Sequence, residues 1–173
     1  MQQNRMTNLR CLTTAAVFAA AIFVSTYFLH IPTPLFGGYV HPGDTFIYLA
    51  GCFLPTPYAM AAASIGAALS DALTPNAAIY VPATIVIKAL LSLYFTSKSE
   101  KILTKRHIAG IFLAGITGLA GYFVWESIIF RSVPAALFNA MFGALQPVMS
   151  GIFFVLLGLA LDKTNIKRRF KFG

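Results

Sequence analysis

Long apolar segments constrain this chain more than any other feature of its sequence. Several approach the roughly 20 residues that a helix needs to cross a bilayer. Inside lipid each backbone amide must be bonded within its own segment, so each segment is predicted to be a helix. We therefore expect an all-α integral membrane protein, one domain over residues 1–173, built as a compact bundle of six transmembrane helices. The predicted helices cover about residues 11–30, 43–54, 57–72, 80–97, 108–128 and 134–161.

The charge pattern supports a membrane protein and argues against a nucleic-acid-binding protein. Charged residues make up only 10% of the chain, whereas soluble domains carry about 25%. The net charge of +8 comes from basic clusters beside the apolar segments, and no soluble face is left to display a basic patch to nucleic acid. The clusters are Arg5 and Arg10; Lys98, Lys101, Lys105 and Arg106; Lys163, Lys167, Arg168, Arg169 and Lys171.

Basic residues in short segments beside membrane spans mark the cytoplasmic side. Both termini and the 98–107 loop are basic, so all three are predicted to be cytoplasmic. Four crossings before the loop and two after it satisfy this requirement. Segment 43–54 rises only about 18 Å as a helix, against a hydrocarbon core of about 30 Å. It is therefore either a short crossing or half of a re-entrant hairpin.

Under this topology, polar side chains gather at the extracellular mouth of the bundle. A ligand from outside would meet them there, so this end is predicted to hold a binding site. The residues expected at this end are His41, Asp44, Asp71, Asn76, Glu126, Arg131, Asn139 and Gln146.

Lys88 lies deep in the fourth predicted helix, where a lysine costs about 2.5–3.5 kcal/mol to insert. It therefore needs a partner, and Asp44, Asp71 and Glu126 are the candidates. The pair is either a structural link between helices or a ligand contact that changes on binding. Asp44 has a second interpretation as the N-cap of the helix that it begins.

Two further pairs of residues predict a pocket for a polar heterocycle. Tyr122 and Glu126 are four apart and share one helix face, and Asn139 and Gln146, seven apart, share another. An aromatic ring would stack on the ligand, while the carboxylate and amides would orient it. Trp125 is either part of this pocket or an interfacial aromatic residue. The amides are either ligand contacts or hydrogen bonds between helices.

No enzyme motif is present. The sequence contains no GxxxxGK[ST] phosphate loop, no HExxH and no GxSxG, so neither catalysis nor ATP hydrolysis by such a loop is predicted. His30, His41 and Asp44 match no standard metal-site spacing, and no metal or cofactor is expected. In the first helix, Ala15 with Ala19 and Ala16 with Ala20 give small residues four apart. Such spacing favours close helix packing, either internally or against a partner.

Three stretches, "GGYVHPGDTFIYLAGCFLP", "AAASIGAALSDAL" and "YVPATIVIKALLSL", resemble the substrate-binding S components of energy-coupling factor (ECF) vitamin transporters. The resemblance covers most of the chain. It implies a six-helix subunit of a prokaryotic plasma membrane that binds a small heterocyclic vitamin or precursor at the extracellular face. Delivery inward would require a transmembrane coupling subunit with two cytoplasmic ATPases. Pyridoxine-type, pyrimidine-precursor, riboflavin-like and cobalamin-precursor cargoes stay open.

The resemblance also implies roles for individual residues. The loop after the first helix corresponds to a lid, and one of the two alanine pairs corresponds to the docking face for the coupling subunit. Together with the residue patterns above, this gives a predicted substrate-binding set of Tyr39, His41, Asp44, Lys88, Tyr122, Trp125, Glu126, Asn139 and Gln146.

Two other functions stay open at this point. The first is an autonomous secondary transporter of a small polar metabolite, with Lys88 and a carboxylate as a proton-linked pair. The second is a membrane protein without transport activity, such as an assembly factor or an intramembrane enzyme, for which the sequence offers no positive feature.

Overall fold

A computed structural model describes residues 2–33, 38–97 and 99–169 of the chain. Part of the predicted lid, residues 34–37, and the basic residues Lys98 and Lys171 lie outside this description. The described chain is all-α apart from one two-stranded hairpin, as expected. Its helices are α1 (Gln2–Phe28), α2 (Asp44–Phe53), α3 (Thr56–Leu73), α4 (Val81–Leu93), α5 (Lys105–Ile129), α6 (Val133–Gly143), α7 (Leu145–Lys163) and α8 (Ile166–Arg169).

The connection from α1 to α2 contains the hairpin. Strand β1 (Ile31–Pro32) pairs in antiparallel fashion with β2 (Tyr39–Val40), and the amide of Thr33 donates to the carbonyl of Gly38 at 2.8 Å. A single 3-10 turn, Ala78–Tyr80, leads directly into α4. These short elements hold the start of α2 and the start of α4 at the same end of the bundle.

The last predicted helix, 134–161, is two helices in the structure. Helix α6 ends at Gly143 and α7 begins at Leu145. Pro147 explains the break, because it has no amide hydrogen to donate to the carbonyl of Gly143 and its ring crowds that carbonyl. Asn139 and Gln146 therefore lie on consecutive helices, and the prediction that they share one helix face is wrong.

Three described segments are long and apolar enough to cross a membrane: Thr7–Phe28, Lys105–Ile129 and Val133–Lys163, the last of which includes the break before α7. The segments Asp44–Phe53 and Ala78–Leu93 are apolar but shorter. The fold is thus that of a membrane protein, while the number of six crossings stays a prediction.

Helices α1 and α3 are in backbone contact. A Cβ atom at Gly66 of α3 would lie 2.5 Å from the carbonyl oxygen of Ala19 and 2.9 Å from Cβ of Ile22. Only glycine permits this approach, since a Cβ atom does not fit at such distances. The small residues of α3 therefore serve packing inside the chain.

Aromatic rings fill the middle of the bundle. The rings of Tyr48 and Phe95 stack with centroids 4.2 Å apart, and Phe154 meets Phe95 edge-on at 5.1 Å. All three side chains are fully buried. The cluster joins α2, the turn that follows α4, and α7.

Candidate ligand-binding site

A cavity of about 760 Å³, counting the part open to solvent, lies between the hairpin and helices α2 to α7. The whole chain has five acidic residues, and three of them, Asp44, Asp71 and Glu126, line this cavity. Each is the centre of a separate group of hydrogen bonds.

Asp44 is paired with the buried lysine. Its Oδ1 lies 2.6 Å from Nζ of Lys88, and its Oδ2 accepts a 2.8 Å hydrogen bond from the amide of Gln146. The same ammonium lies 5.4 Å from the centre of the Tyr122 ring. Of the three partners expected for Lys88, Asp44 is the one that binds it. The pair joins α2 to α4, and the hydrogen bond from Gln146 adds α7.

Asp44 does not cap its own helix. The cap position is Gly43, and it makes no side-chain cap bond. The N-cap interpretation is wrong because both carboxylate oxygens are already bonded to Lys88 and Gln146. Asp44 still places negative charge in the first turn of α2, where the helix dipole favours it.

Asp71, near the end of α3, is surrounded by hydroxyl groups. Its Oδ1 accepts from the hydroxyl of Tyr39, and its Oδ2 accepts from Thr84 at 2.5 Å. Because Thr84 donates to Asp71, it accepts from the hydroxyl of Tyr122 at 2.9 Å. Burial and then the charge of Asp71 raise the pKa of Tyr39, so the hairpin tyrosine stays protonated. This hydrogen bond links the hairpin to α3.

Glu126 on α5 accepts two hydrogen bonds on the same oxygen. Oε1 accepts from the hydroxyl of Tyr80 at 3.2 Å and from the amide of Asn139 at 2.6 Å. Among the described residues nothing bonds to its Oε2. Since a carboxylate can only accept, the amide nitrogen of Asn139 must face Glu126, and its Oδ1 faces away.

His41 supports the start of α2 as a neutral ring. Its Nδ1 accepts from the amide of Gly43 at 3.1 Å and lies 3.3 Å from Oγ1 of Thr26. Burial, followed by the nearby charge of Lys88, lowers the pKa of His41 to about 3. The imidazole therefore brings no positive charge to the cavity at neutral pH.

Three buried polar atoms at the cavity wall have no hydrogen-bond partner within the described ranges. They are Oγ1 of Thr33, the hydroxyl of Tyr48 and Oδ1 of Asn139. A buried polar atom left without a partner costs about 1–3 kcal/mol, so native structures rarely tolerate it without a reason. Three of them around one cavity indicate a site built for a polar ligand.

The cavity brings together most of the predicted binding residues. Those that line it are Tyr39, His41, Asp44, Lys88, Tyr122, Glu126, Asn139 and Gln146. Trp125 does not line it: the side chain is half-buried, and its indole donates to the carbonyl of Ile79 at 3.1 Å. Asn76 and Arg131, expected at the same mouth, are also absent from the wall; both adopt positive φ angles of 64° and 51°.

Sequence reasoning did not select Thr33, Tyr48 or Tyr80. A signal existed for the two tyrosines, since residues four apart share a helix face. Tyr48 follows Asp44 by four residues, and Tyr80 and Thr84 precede Lys88 by eight and four. For Thr33, which lies in the hairpin, no periodic pattern was available.

The structure separates the two alanine pairs of α1. Ala15 is buried with Ala50 of α2, Leu54 directly after it, and Ala59 and Ala62 of α3. Ala19 is partly buried at the contact with Gly66. Ala16 and Ala20 are exposed. Only the second pair is open to another protein.

The fold and cavity define a small helical membrane protein with an internal polar binding site. A family model described as "ECF-type riboflavin transporter, S component" matches residues 6–163. The chain therefore belongs to the family of ECF-type riboflavin transporter S components, a family of transporters rather than enzymes. Comparison with curated proteins and with solved structures gives no match.

Proposed function

We propose that this chain is the substrate-binding subunit of an ECF-type importer and that its cargo is riboflavin or a close flavin relative. It captures the vitamin at the extracellular face and delivers it inward with a transmembrane coupling subunit and two cytoplasmic ATPases. Family membership supports the class of transporter. The name of the family supports the flavin.

The observation that carries the proposal is the cavity with its unpartnered polar atoms. The hydroxyl of Tyr48 and Oδ1 of Asn139 are buried without partners in the described chain. The rings of Tyr80 and Tyr122, with centroids 6.3 Å apart, stand at the same wall. A flat flavin ring would stack on tyrosine, while its ring N–H and its ribityl hydroxyls would meet the free acceptors and donors.

The position of the basic residues supports capture from outside. Helix α5 begins at Lys105 and places Tyr122 and Glu126 in its last two turns. At about 1.5 Å per residue, Glu126 lies roughly 30 Å along the helix from Lys105. Basic residues beside spans face the cytoplasm, so the cavity end faces outward. We propose six crossings with both termini in the cytoplasm of a prokaryotic cell.

Ala16 and Ala20 are the proposed docking residues for the coupling subunit. Both are exposed on α1, and small residues four apart let a second helix approach closely. Ala16→Trp should abolish co-purification of the coupling subunit with this chain and leave riboflavin binding unchanged. Ala15→Trp should instead lower the stability of the protein, because the side chain of Ala15 is buried. If Ala16→Trp co-purified with as much coupling subunit as the wild-type protein does, Ala16 and Ala20 would not form the docking face.

Titration of the purified protein with riboflavin tests the cargo directly, since the fluorescence of the flavin reports its binding. We expect saturable quenching at submicromolar concentration. Asn139→Ala should weaken binding about tenfold, because it removes one acceptor and one partner of Glu126. Leu137→Ala, on the exposed face of the same helix, is the matched control and should bind normally. Absence of quenching in the wild-type protein would contradict the flavin proposal.

Reconstituted uptake separates the importer from an autonomous carrier. We expect accumulation of labelled riboflavin only when the coupling subunit, the ATPases and ATP are present. Uptake by this chain alone under a pH gradient would favour the carrier, with Lys88 and Asp44 as its proton-linked pair.

A further inference from the structure

The charges that line the cavity are unbalanced. Asp44, Asp71 and Glu126 all reach it, but Lys88 is the sole lysine or arginine among the described residues of its wall. That ammonium is already bonded to Asp44 at 2.6 Å. His41 is held neutral by the same surroundings. Asp71 and Glu126 therefore have hydroxyl and amide partners but no cation in the described part of the chain.

Free polar atoms show that a ligand would come close to these carboxylates. Oδ1 of Asn139 has no partner within the described residues, and its residue is 4% exposed. The nitrogen of the same amide is 2.6 Å from Glu126. A ligand group that donates to Asn139 must therefore lie beside Glu126. The hydroxyl of Tyr48, which also has no partner in the described part of the chain, belongs to a fully buried residue of the wall one helical turn after Asp44.

The described residues that line this space offer an anionic ligand group no cation beyond Lys88, which is already paired with Asp44. If Asp71 and Glu126 are ionised, they repel it. If they are protonated, the repulsion disappears, but the described part of the wall still offers no unpaired ammonium or guanidinium. Burying an anion without a cation is costly in either case. Weak binding of an anion is therefore expected in either state of the two carboxyl groups, whereas repulsion by Asp71 and Glu126 themselves requires that they are ionised.

We propose that the cavity selects the uncharged form of its ligand over phosphorylated or other anionic forms, and that Asp71 and Glu126 set this preference. For a riboflavin-binding protein, the consequence is discrimination against the 5′-phosphate, flavin mononucleotide. This inference rests on the proposed function for the identity of the ligand, but the charge argument itself does not. The ligand edge beside Glu126 and Asn139 is a hydrogen-bond donor.

The test compares riboflavin with flavin mononucleotide by fluorescence titration of the full chain in detergent. We expect the wild-type protein to bind the phosphate at least about tenfold more weakly. Glu126→Gln and Asp71→Asn each remove one negative charge with little change of shape. Each should reduce the ratio of riboflavin affinity to flavin mononucleotide affinity about fivefold or more. Glu100→Gln removes the same charge from an exposed side chain that pairs with Arg168 and should leave the ratio unchanged.

Equal affinity for the two flavins in the wild-type protein would overturn the inference. The inference would also be overturned if the ratio of the two flavin affinities were the same in Glu126→Gln, Asp71→Asn and Glu100→Gln. If neither flavin binds, the riboflavin proposal fails, and pyridoxine with its 5′-phosphate becomes the test pair. Preference for pyridoxine would then support the charge selection, and preference for its phosphate would overturn it. Failure of both pairs to bind would contradict both proposals.

Discussion

The two ends of helix α2 lie in very different surroundings. At its start, Asp44 faces a cavity and binds charged and polar groups from two other helices. Two turns later, Gly51 is pressed against α4, where a Cβ atom would lie 2.5 Å from the carbonyl oxygen of Ser92. Tyr48 separates the two regions: its ring packs on Phe95, and its hydroxyl lies at the cavity wall without a partner among the described residues.

The difference shows how a small bundle combines a binding site with stability. The ring cluster of Tyr48, Phe95 and Phe154 is close-packed and holds the helices together. Within the described ranges, the cavity end keeps three polar atoms without a partner and two carboxylates, Asp71 and Glu126, without a cation, which lowers its stability. Local rules are commonly broken at functional sites in this way. The close-packed ring cluster therefore holds the helices in the positions that form the cavity.

Loss of the Lys88 charge should have the largest effect on the cavity end. Lys88→Met leaves Asp44 buried without its cation, and removing one partner of a buried pair costs about 3–5 kcal/mol. We expect a large fall in the melting temperature of the purified protein in detergent.

The double variant Lys88→Met with Asp44→Asn is the matched control. It removes both charges, so it should recover much of the stability that the single variant loses. If the single and double variants melt together, the pair is not the interaction that joins α2 and α4.

A methyl group added to glycine tests the contrast between filled and empty space. At Gly51 the new Cβ would lie 2.5 Å from the carbonyl oxygen of Ser92 and 2.8 Å from Cβ of Phe95. Gly51→Ala should therefore cost about 1–3 kcal/mol, as overpacking does. Thermal unfolding in detergent measures the change.

Gly118 provides the comparison at the other end. It lines the cavity on α5, and a Cβ atom there would meet nothing within 4 Å. Gly118→Ala should leave stability unchanged or raise it by about 0.5–1 kcal/mol, because alanine favours the helix. Equal destabilisation at Gly51 and Gly118 would mean that the two regions are packed alike.

The sequence was sufficient to predict the cavity end because its polar residues interrupt apolar segments. Lys88 required a partner for energetic reasons, and Asp44 was among the candidates. The face shared by Tyr122 and Glu126 followed from helical spacing. These inferences depend on local pattern and on the cost of burying charge, both of which can be read without coordinates.

Other features depend on packing between segments and could not be read in this way. The sequence left both alanine pairs of α1 as candidates, and only the contact of Ala19 with Gly66 shows which pair is internal. The break before Leu145 moved Asn139 and Gln146 onto separate helices, yet both still reach the cavity. Trp125 follows Tyr122 by three residues and precedes Glu126 by one, so spacing alone did not decide its direction.

Trp125 gives the smallest expected effect and defines the edge of the site. Its indole donates to the carbonyl of Ile79 at 3.1 Å and its half-buried side chain does not line the cavity, so Trp125→Phe removes one neutral hydrogen bond worth about 0.5–1.5 kcal/mol. Riboflavin affinity, measured by titration, should change less than about twofold, a difference of roughly 0.4 kcal/mol. Tyr122→Leu, which removes a ring that lines the cavity, should weaken binding by much more. If Trp125→Phe weakens binding as strongly as Tyr122→Leu, the ligand extends past Glu126 to the outer face of α5, and the boundary between cavity and exposed surface lies one residue further than the structure indicates.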